Sequence, residues 1–352
     1  MKYLPDLLGR PHVRRPAEAG PLSLRAVNGQ LTLTDERGRP IQLRGMSTHG
    51  LQWYGEIINP NAFAALARDW ECNVIRLALY IGEDGFASRP ELKALVYKGI
   101  DLALANDLYV IVDWHVLSPG DPNAAIYNGA ADFFTELADH YRSHPQYFQI
   151  LWELCNEPNP NPAGGPGVSN DAAGWEAVKR YAKPLITALR ERGDNIILVG
   201  TPNWSQRVDL AADEPIEGEN IMYTVHFYSG THLPSADSTD RTNVMANTRY
   251  ALAKGVAIFV SERGTSEASG NNGPYLKAAD EWLAYLNAEG ISWCNWSLTT
   301  REETSGAFRP ATADLLDPGD GQVWKQEQVS ESGSYVRARI KGIAAYVAQE
   351  GE

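Results

Sequence analysis

The feature that most constrains this chain is an eightfold alternation of short β-rich runs with amphipathic helical stretches. The runs are IQLRGMS (41–47), NVIRLALY (73–80), YVIVDWHV (109–116), FQILWELCNE (148–157), NIILVGT (195–201), IMYTVHFY (221–228), AIFVSERG (257–264) and ISWCNWSL (291–298). Helical patterns lie between and after them, at about 60–71, 90–107, 130–143, 174–192, 205–213, 242–254, 273–289 and 333–349. Strands that alternate with helices imply a parallel sheet, because each return to the same edge needs a crossover. Eight such units close on themselves, so the expected fold class is α/β, a (β/α)8 TIM barrel. An open doubly wound sheet is the alternative, but the phosphate-binding loop that usually follows its first strand is absent.

The connections are unequal. Helix-to-strand links such as WECN, ANDLY, RERGDN, LAKGVA and NAEGIS are short and turn-like, whereas strand-to-helix links such as SPGDPNAAIYNG, PNPNPAGGPGVSNDAA and SGTHLPSADSTD are long. Long loops therefore gather at the carboxyl ends of the strands, the face where barrels of this kind carry their chemistry. Before the first run, Asn28-Gly29 between alternating apolar residues predicts a β-hairpin closing one end. Residues 1–22 show no periodicity and are expected to form a surface arm, leaving 23–350 as a single domain.

Composition narrows the partners. A net charge of −13 makes the chain a poor binder of polyanions, so neither nucleic acid nor an anionic membrane is an expected partner. No apolar run reaches the ~18 residues of a membrane-spanning helix. The opening MKYLPDLLGRPHVRRPAEAG lacks a continuous apolar segment, so no intact signal peptide is read there; the chain is intracellular or its export signal was removed before residue 1. Cys72, Cys155 and Cys294 are an odd, widely spaced set in apolar runs, expected to be free and buried rather than a disulfide framework or zinc motif.

Polar residues recur where the apolar runs stop. His115 ends the third run, Asn156 and Glu157 the fourth, His226 and Tyr228 the sixth, Glu262 the seventh and Trp296 the eighth; Arg76 lies in the second and His49 follows the first. A polar residue on most of eight strand ends is hard to reconcile with packing. Glu157 and Glu262 would face each other across the mouth, and two carboxyl groups, one to protonate a leaving oxygen and one to meet an oxocarbenium-like carbon, are what glycoside hydrolysis requires. The alternative is a pair of rim glutamates salt-bridged to arginine. Asp113 and Glu153 lie deeper on the same faces and read as structural acids paired with Arg44 or Arg76. Asn156 and Glu157 can both serve one site only if the strand breaks between them, which Pro158 makes plausible. Trp53, Trp204 and Trp296 offer flat faces at or beyond strand ends, although ordinary packing accounts equally well for Trp53 and Trp204.

Taken in order, RGMSTHGLQWYG, NVIRLALY, VDWHV, WELCNEPN, YTVHFYSG, SERGTSEASGNNG and SWCNWSL resemble the bacterial cellulases of glycoside hydrolase family 5, over residues 22–347. The resemblance implies retaining hydrolysis of β-1,4-glucans, with Glu157 as acid/base and Glu262 as nucleophile. It implies that Asn156 holds the sugar 2-hydroxyl, that Arg76 and Tyr228 sit beside the nucleophile, and that His49, His115 and His226 belong to the site. Trp296 matches the platform at the cleavage point, commonly held by a cis bond to the next residue, here Ser297; Trp53 and Trp204 match outer subsites. One departure stands out: the family pattern S/T-E-W-G reads Ser261-Glu262-Arg263-Gly264 here. Strand alternation turns Arg263 away from the site, toward an expected ion pair with an acid on a neighbouring helix. Cys155 is also larger than the small residue the family places there.

The expected activity is thus an endo-acting cellulase with a polysaccharide as partner, needing no cofactor or metal, monomeric and, by resemblance, secreted. A mannan or mixed-linkage glucan hydrolase of the same family is one alternative. A catalytically inactive glucan-binding barrel is another, which the two intact glutamates speak against.

Overall fold

Asn28 and Gly29 adopt φ of 52° and 85°, the paired left-handed conformation that a two-residue hairpin turn requires. They join β1 (Ser23–Val27) to β2 (Gln30–Thr34) in an antiparallel pair with Val27 opposite Gln30. The computed structural model describes residues 12–311 and 313–343. Eight parallel strands follow: β3 (Arg44–Thr48), β4 (Val74–Tyr80), β5 (Tyr109–His115), β6 (Ile150–Glu153), β7 (Ile197–Val199), β8 (Ile221–Tyr228), β9 (Ile258–Gly264) and β10 (Ser292–Leu298). They pair in sequence order and β10 closes on β3, making the expected (β/α)8 barrel. Helices occupy every crossover, from Pro60–Arg68 to Leu276–Ala288, and Glu331–Ile340 closes the ring.

Each barrel strand is buried on both faces, which is why apolar residues fill both alternating positions of the runs and polar ones only interrupt them. Outward residues such as Ile75, Leu77, Val110, Val112, Trp152 and Val260 pack against the helices. The interior is layered. Its floor is apolar, formed by Val74, Tyr109, Ile111, Leu151, Leu198, Phe259 and Cys294. One layer up, the same inward positions become Arg76, Asp113 and Glu153, all fully buried. At the mouth stand Tyr80, Tyr228 and Trp296. Gly45 lets β3 lie close to β4, since a Cβ there would fall 1.8 Å from the Val74 carbonyl oxygen.

The hairpin covers the floor, with Leu33 buried in the floor cluster. The described part of the expected arm is no loose surface segment. Pro16–Ala19 forms a helical turn, Ala19 and Leu22 are buried in the same cluster, and Arg15 donates to the carbonyl oxygens of Asn106 and Ala67. Its apolar residues are too few to show periodicity, so only the tertiary contact reveals them. Residues 1–11 of that arm, and the end of the last expected helix beyond 343, lie outside the described residues. Cys72, Cys155 and Cys294 are free and buried. No helix among the described residues is long and apolar enough to cross a membrane.

Candidate active site

The long loops after β6, β8 and β10 ring the carboxyl end of the barrel around a cleft of about 690 Å³. Glu157, Glu262, His49, Trp53, His115, Trp204, His226, Tyr228 and Trp296 all line it. Arg76 and Asn156 lie just beneath, fully buried.

Arg76 organises the base of the site. Its Nε donates to Glu153 Oε2 at 2.7 Å, Nη1 to Glu262 Oε2 at 3.2 Å and to Ser47 Oγ at 3.2 Å, and Nη2 to Asn156 Oδ1 at 2.6 Å. Asp113 Oδ2 lies 3.0 Å from Nη2. The two deeper acids therefore both pair with Arg76. Arg44 is not their partner: it turns to Gln42 Oε1 and the Arg339 carbonyl instead. Three acids share one guanidinium in a dry interior, and the protonation states follow from that. Burial pushes Asp113 up to about 7 against the pull of Arg76, and burial likewise raises Glu153.

The two glutamates have different surroundings. Glu262 accepts from Tyr228 OH at 2.6 Å and from Arg76, so both its oxygens face donors. Burial and the nearby Glu157 raise its pKa, while His226 and Arg76 hold it down. Glu157 meets no cation directly. It faces His226 Nδ1 at 2.8 Å, and burial pushes it up to about 8, with Asp113 and Glu153 adding to the rise and Arg76 opposing it. Both carboxyl groups are raised, but only Glu262 has donors on both oxygens, an arrangement that favours the charge on Glu262 and the proton on Glu157. One carboxyl oxygen from each, together with a ring nitrogen of His226, lie within 4.8 Å of one another. This trio is the group among the described residues with the spacing of metal ligands. A cation there would face Arg76, already bonded to Glu262.

The imidazoles are held neutral. Burial lowers His226 to about 4 and His49 to about 3, and drives His115 well below its ordinary value. His115 Nδ1 donates to Asp113 Oδ2 at 2.7 Å, so its Nε2 accepts from Asn156 Nδ2 at 3.1 Å. Asn156 is thereby clamped from both sides. The strand break that brings Asn156 and Glu157 into one site comes earlier than Pro158 suggested, since β6 ends at Glu153.

The aromatic residues form two groups. Trp296 stands 5.0 Å from the His49 ring and 5.7 Å from the His115 ring, and its bond to Ser297 is cis, as expected. Trp53, 42% exposed, packs edge-on against Tyr80 at 5.1 Å. Trp204 sits on a turn in which Asn203, Trp204 and Ser205 all have positive φ, conformations that each cost non-glycine residues about 1–3 kcal/mol. The turn is fastened by Trp204 N–H to the Pro158 carbonyl at 3.1 Å and Ser205 Oγ to the Asn156 carbonyl at 2.7 Å. A helix expected from residue 205 starts only at Val208 for that reason.

Arg263 points away from the cleft, as alternation from Glu262 predicts, but it makes no ion pair with an acid among the described residues, against the expectation. Its guanidinium lies over the Trp293 ring at 4.6 Å, and none of its three nitrogens has a hydrogen-bond partner among the described residues. The nearby acid, Asp280, is taken by Arg339 and by Tyr335 OH.

Sequence reading missed Ser261, Tyr80, Arg301 and Glu303. Tyr80 ends its run as His115 does and stacks on it at 3.9 Å, a signal that was available. Ser261 was hidden by a bulge. Between Phe259 and Glu262 strand β9 carries one residue more than its neighbour β8, so Ser261 and Glu262 both face inward. Arg301 and Glu303 come from the long loop after β10, where no periodicity marks a side chain's direction.

Comparison with known proteins places the chain in a family. The model of the cellulases, glycosyl hydrolase family 5, matches residues 34–302. An endoglucanase of Bacillus sp. (strain KSM-635) is 61% identical over 94% of this chain, and one of Halalkalibacter akibai 57% identical over 96%. The chain spans 36% and 44% of the lengths of those two relatives. Among solved structures, the alkaline cellulase K catalytic domain superposes with a TM-score of 0.91 at 61% identity, covering 94% of this chain and 96% of that one. A Thermobifida fusca endoglucanase Cel5A catalytic domain in complex with cellotetraose superposes with a TM-score of 0.79 at 33% identity, covering 93% and 100%. With a family match over most of its length, this chain belongs to the cellulases of glycosyl hydrolase family 5.

Proposed function

We propose that this chain is an endo-acting β-1,4-glucanase that hydrolyses cellulose and related β-glucans with retention of configuration. The observation that carries the reading is the spacing of Glu157 and Glu262, whose nearest carboxyl oxygens lie within 4.8 Å across the cleft. Retaining pairs sit about 5–5.5 Å apart, whereas inverting pairs leave roughly 6.5–9.5 Å for a water molecule. Glu262, charged and oriented by Arg76 and Tyr228, attacks the anomeric carbon while Glu157 gives its proton to the departing glycosidic oxygen. Glu157, now a carboxylate, then takes a proton from the water that displaces Glu262. Asn156, fixed by Arg76 and His115, presents its amide to the sugar 2-hydroxyl, and Trp296, Trp53 and Trp204 stack on pyranose rings. Carboxyl groups supply all the chemistry, so no cofactor or metal is called for.

Relatives described as endoglucanases favour an endo mode on glucan. We place residues 23–350 in one catalytic domain that acts as a secreted monomer on polysaccharide, with neither nucleic acid nor membrane as partner. Proton NMR of the first product from a soluble β-glucan tests the mechanism: a β-anomer is expected, and an α-anomer would overturn it. Relative rates on cellulose derivative, mixed-linkage glucan and mannan test the substrate, with the cellulosic substrate expected to be fastest.

A further inference from the structure

Behind Glu157 runs a buried chain of hydrogen bonds that the reaction scheme above does not use. His226 Nδ1 lies 2.8 Å from Glu157 Oε1, and His226 Nε2 lies 2.9 Å from Ser261 Oγ. Ser261 Oγ is in turn 2.6 Å from Glu153 Oε1, and Glu153 Oε2 accepts from Arg76 Nε at 2.7 Å. His226, Ser261 and Glu153 are all buried, so water cannot substitute for any link. We infer that Ser261 and Glu153 are positioning residues that keep the acid proton on Glu157 by dictating which nitrogen of His226 carries hydrogen. The inference rests on the reading of Glu157 as the acid/base.

The argument is a count of hydrogens. Each link holds one. Glu153, bridged to a guanidinium, is the carboxylate end of the chain and contributes none, so the single hydroxyl hydrogen of Ser261 goes to Glu153. Ser261 Oγ is then left as acceptor, and His226 must donate to it from Nε2. A neutral imidazole has one N–H. Nδ1 therefore presents a lone pair to Glu157 Oε1, and at 2.8 Å two facing lone pairs repel unless Glu157 supplies the hydrogen. The opposite order, with the proton on Glu153 and all three links reversed, would place a neutral acid against Arg76 and a bare charge on Glu157. Arg76 on β4 selects the first order. The other groups facing this chain are Asp113 and His115 on β5, Tyr228 on β8 and Glu262 on β9. The acids among them disfavour charge on Glu153 as well as on Glu157, so the direct bridge from Arg76 Nε to Glu153 is what selects between the two orders.

The same geometry serves both half-reactions. In the first, the proton leaves Glu157 as the bond from the anomeric carbon to the glycosidic oxygen breaks and the new O–H forms. The Glu157 carboxylate then faces the Nδ1 lone pair, which makes it a stronger base toward the water of the second step. There water gives its proton to Glu157, its oxygen bonds to the anomeric carbon, and the bond to Glu262 breaks.

Nitrogen-15 NMR of histidine-labelled protein reports the tautomer directly, with the His226 signals assigned by their loss in His226→Asn. The expected result is Nε2–H in the unsubstituted protein. Ser261→Ala removes the acceptor, so His226 should switch to Nδ1–H and donate to Glu157. The basic limb of the kcat/KM profile should then move down by about one pH unit, a roughly tenfold loss at a pH above that limb. Ser261→Thr keeps the hydroxyl and should restore both tautomer and limb, which a purely structural role of the serine would not require. An Nδ1–H tautomer in the unsubstituted protein overturns the inference whether or not any variant folds, and so does an unmoved basic limb in folded Ser261→Ala. Failure of the underlying reading would look different: Glu157→Ala would keep full activity on β-glucan whatever the tautomer.

Discussion

Arg263→Met probes a buried charge whose three guanidinium nitrogens all lack a hydrogen-bond partner among the described residues. The guanidinium is fully buried and is pushed by burial down to about 10, more than two pH units below its ordinary value. At about 1.4 kcal/mol per pH unit, that fall amounts to a penalty of about 3 kcal/mol for carrying the charge in the folded state at neutral pH. Methionine has a similar reach and no charge. It forfeits the cation–π contact with Trp293, about 2 kcal/mol when desolvated, and regains a sulfur–aromatic contact of about 0.3–1.5 kcal/mol. The balance is a gain of about 1–2 kcal/mol, in keeping with apolar replacement of buried charges elsewhere. Over 352 residues, with an unfolding entropy of roughly 2.1 cal/mol/K per residue, this raises Tm by about 2 °C. The pH dependence has a definite sign. Because the folded pKa lies below the unfolded one, the native protein recovers stability as pH rises through about 10, so the advantage of Met is largest near neutrality and fades above it. Calorimetry at both pH values, with the rate profile measured in parallel, is the assay. A Tm lowered by several degrees would refute the reasoning about the unpaired charge. An acidic limb moved by a full pH unit would refute the outward placement.

Tyr228→Phe removes the 2.6 Å bond to Glu262 and with it about 1.5–3 kcal/mol of charge stabilisation. It should lower kcat/KM by roughly 10–100-fold and move the acidic limb upward; a change under about twofold would exclude Tyr228 from that role. Glu157→Ala should retain activity on aryl glycosides with good leaving groups and respond to azide, whereas Glu262→Ala should be inactive on both substrate types; equal losses in the two variants would contradict their assigned roles. With Glu157 pushed up to about 8, activity that requires its proton should persist through neutral pH and fall as pH rises through that value, and Glu157→Gln should abolish the limb together with most of the rate. Gly45→Ala would place a methyl group 1.8 Å from the Val74 carbonyl oxygen and force β3 off β4, costing about 3 kcal/mol or more, readable as a lowered Tm with the oligomeric state unchanged.

The fold was legible because it depends on local periodicities that the barrel repeats. Each run such as YVIVDWHV is mostly apolar since its strand is buried on both faces, and each crossover carries one apolar helical face. The polar residues stood out for the same reason: Arg76 between Ile75 and Leu77, and His115 between Trp114 and Val116, interrupt apolar runs, while Glu262 stands where the apolar run Ile258–Val260 has just ended. Side-chain direction was legible only where strands stay regular. Alternation placed Asp113 and His115 on one face correctly, and their Oδ2 and Nδ1 atoms are 2.7 Å apart. It hid Ser261, because the bulge in β9 lies in the pairing between strands and leaves no mark in composition.

What the sequence alone determined was therefore the barrel, the face that carries the site, and most of the residues at its mouth. Only the tertiary structure decided how the charges are shared. One guanidinium, that of Arg76, meets Asp113, Glu153 and Glu262 at once, while Arg44, the equally available candidate in sequence, does not reach them. Arg263 in turn finds an indole in place of an acid, because Arg339 already holds Asp280. Residue types and spacing fix which strand face a charge occupies, to the extent that the strand is regular. Which partner it finds across a closed interior depends on distances between strands far apart in the chain, and electrostatic energies inside a protein change steeply over those few ångströms.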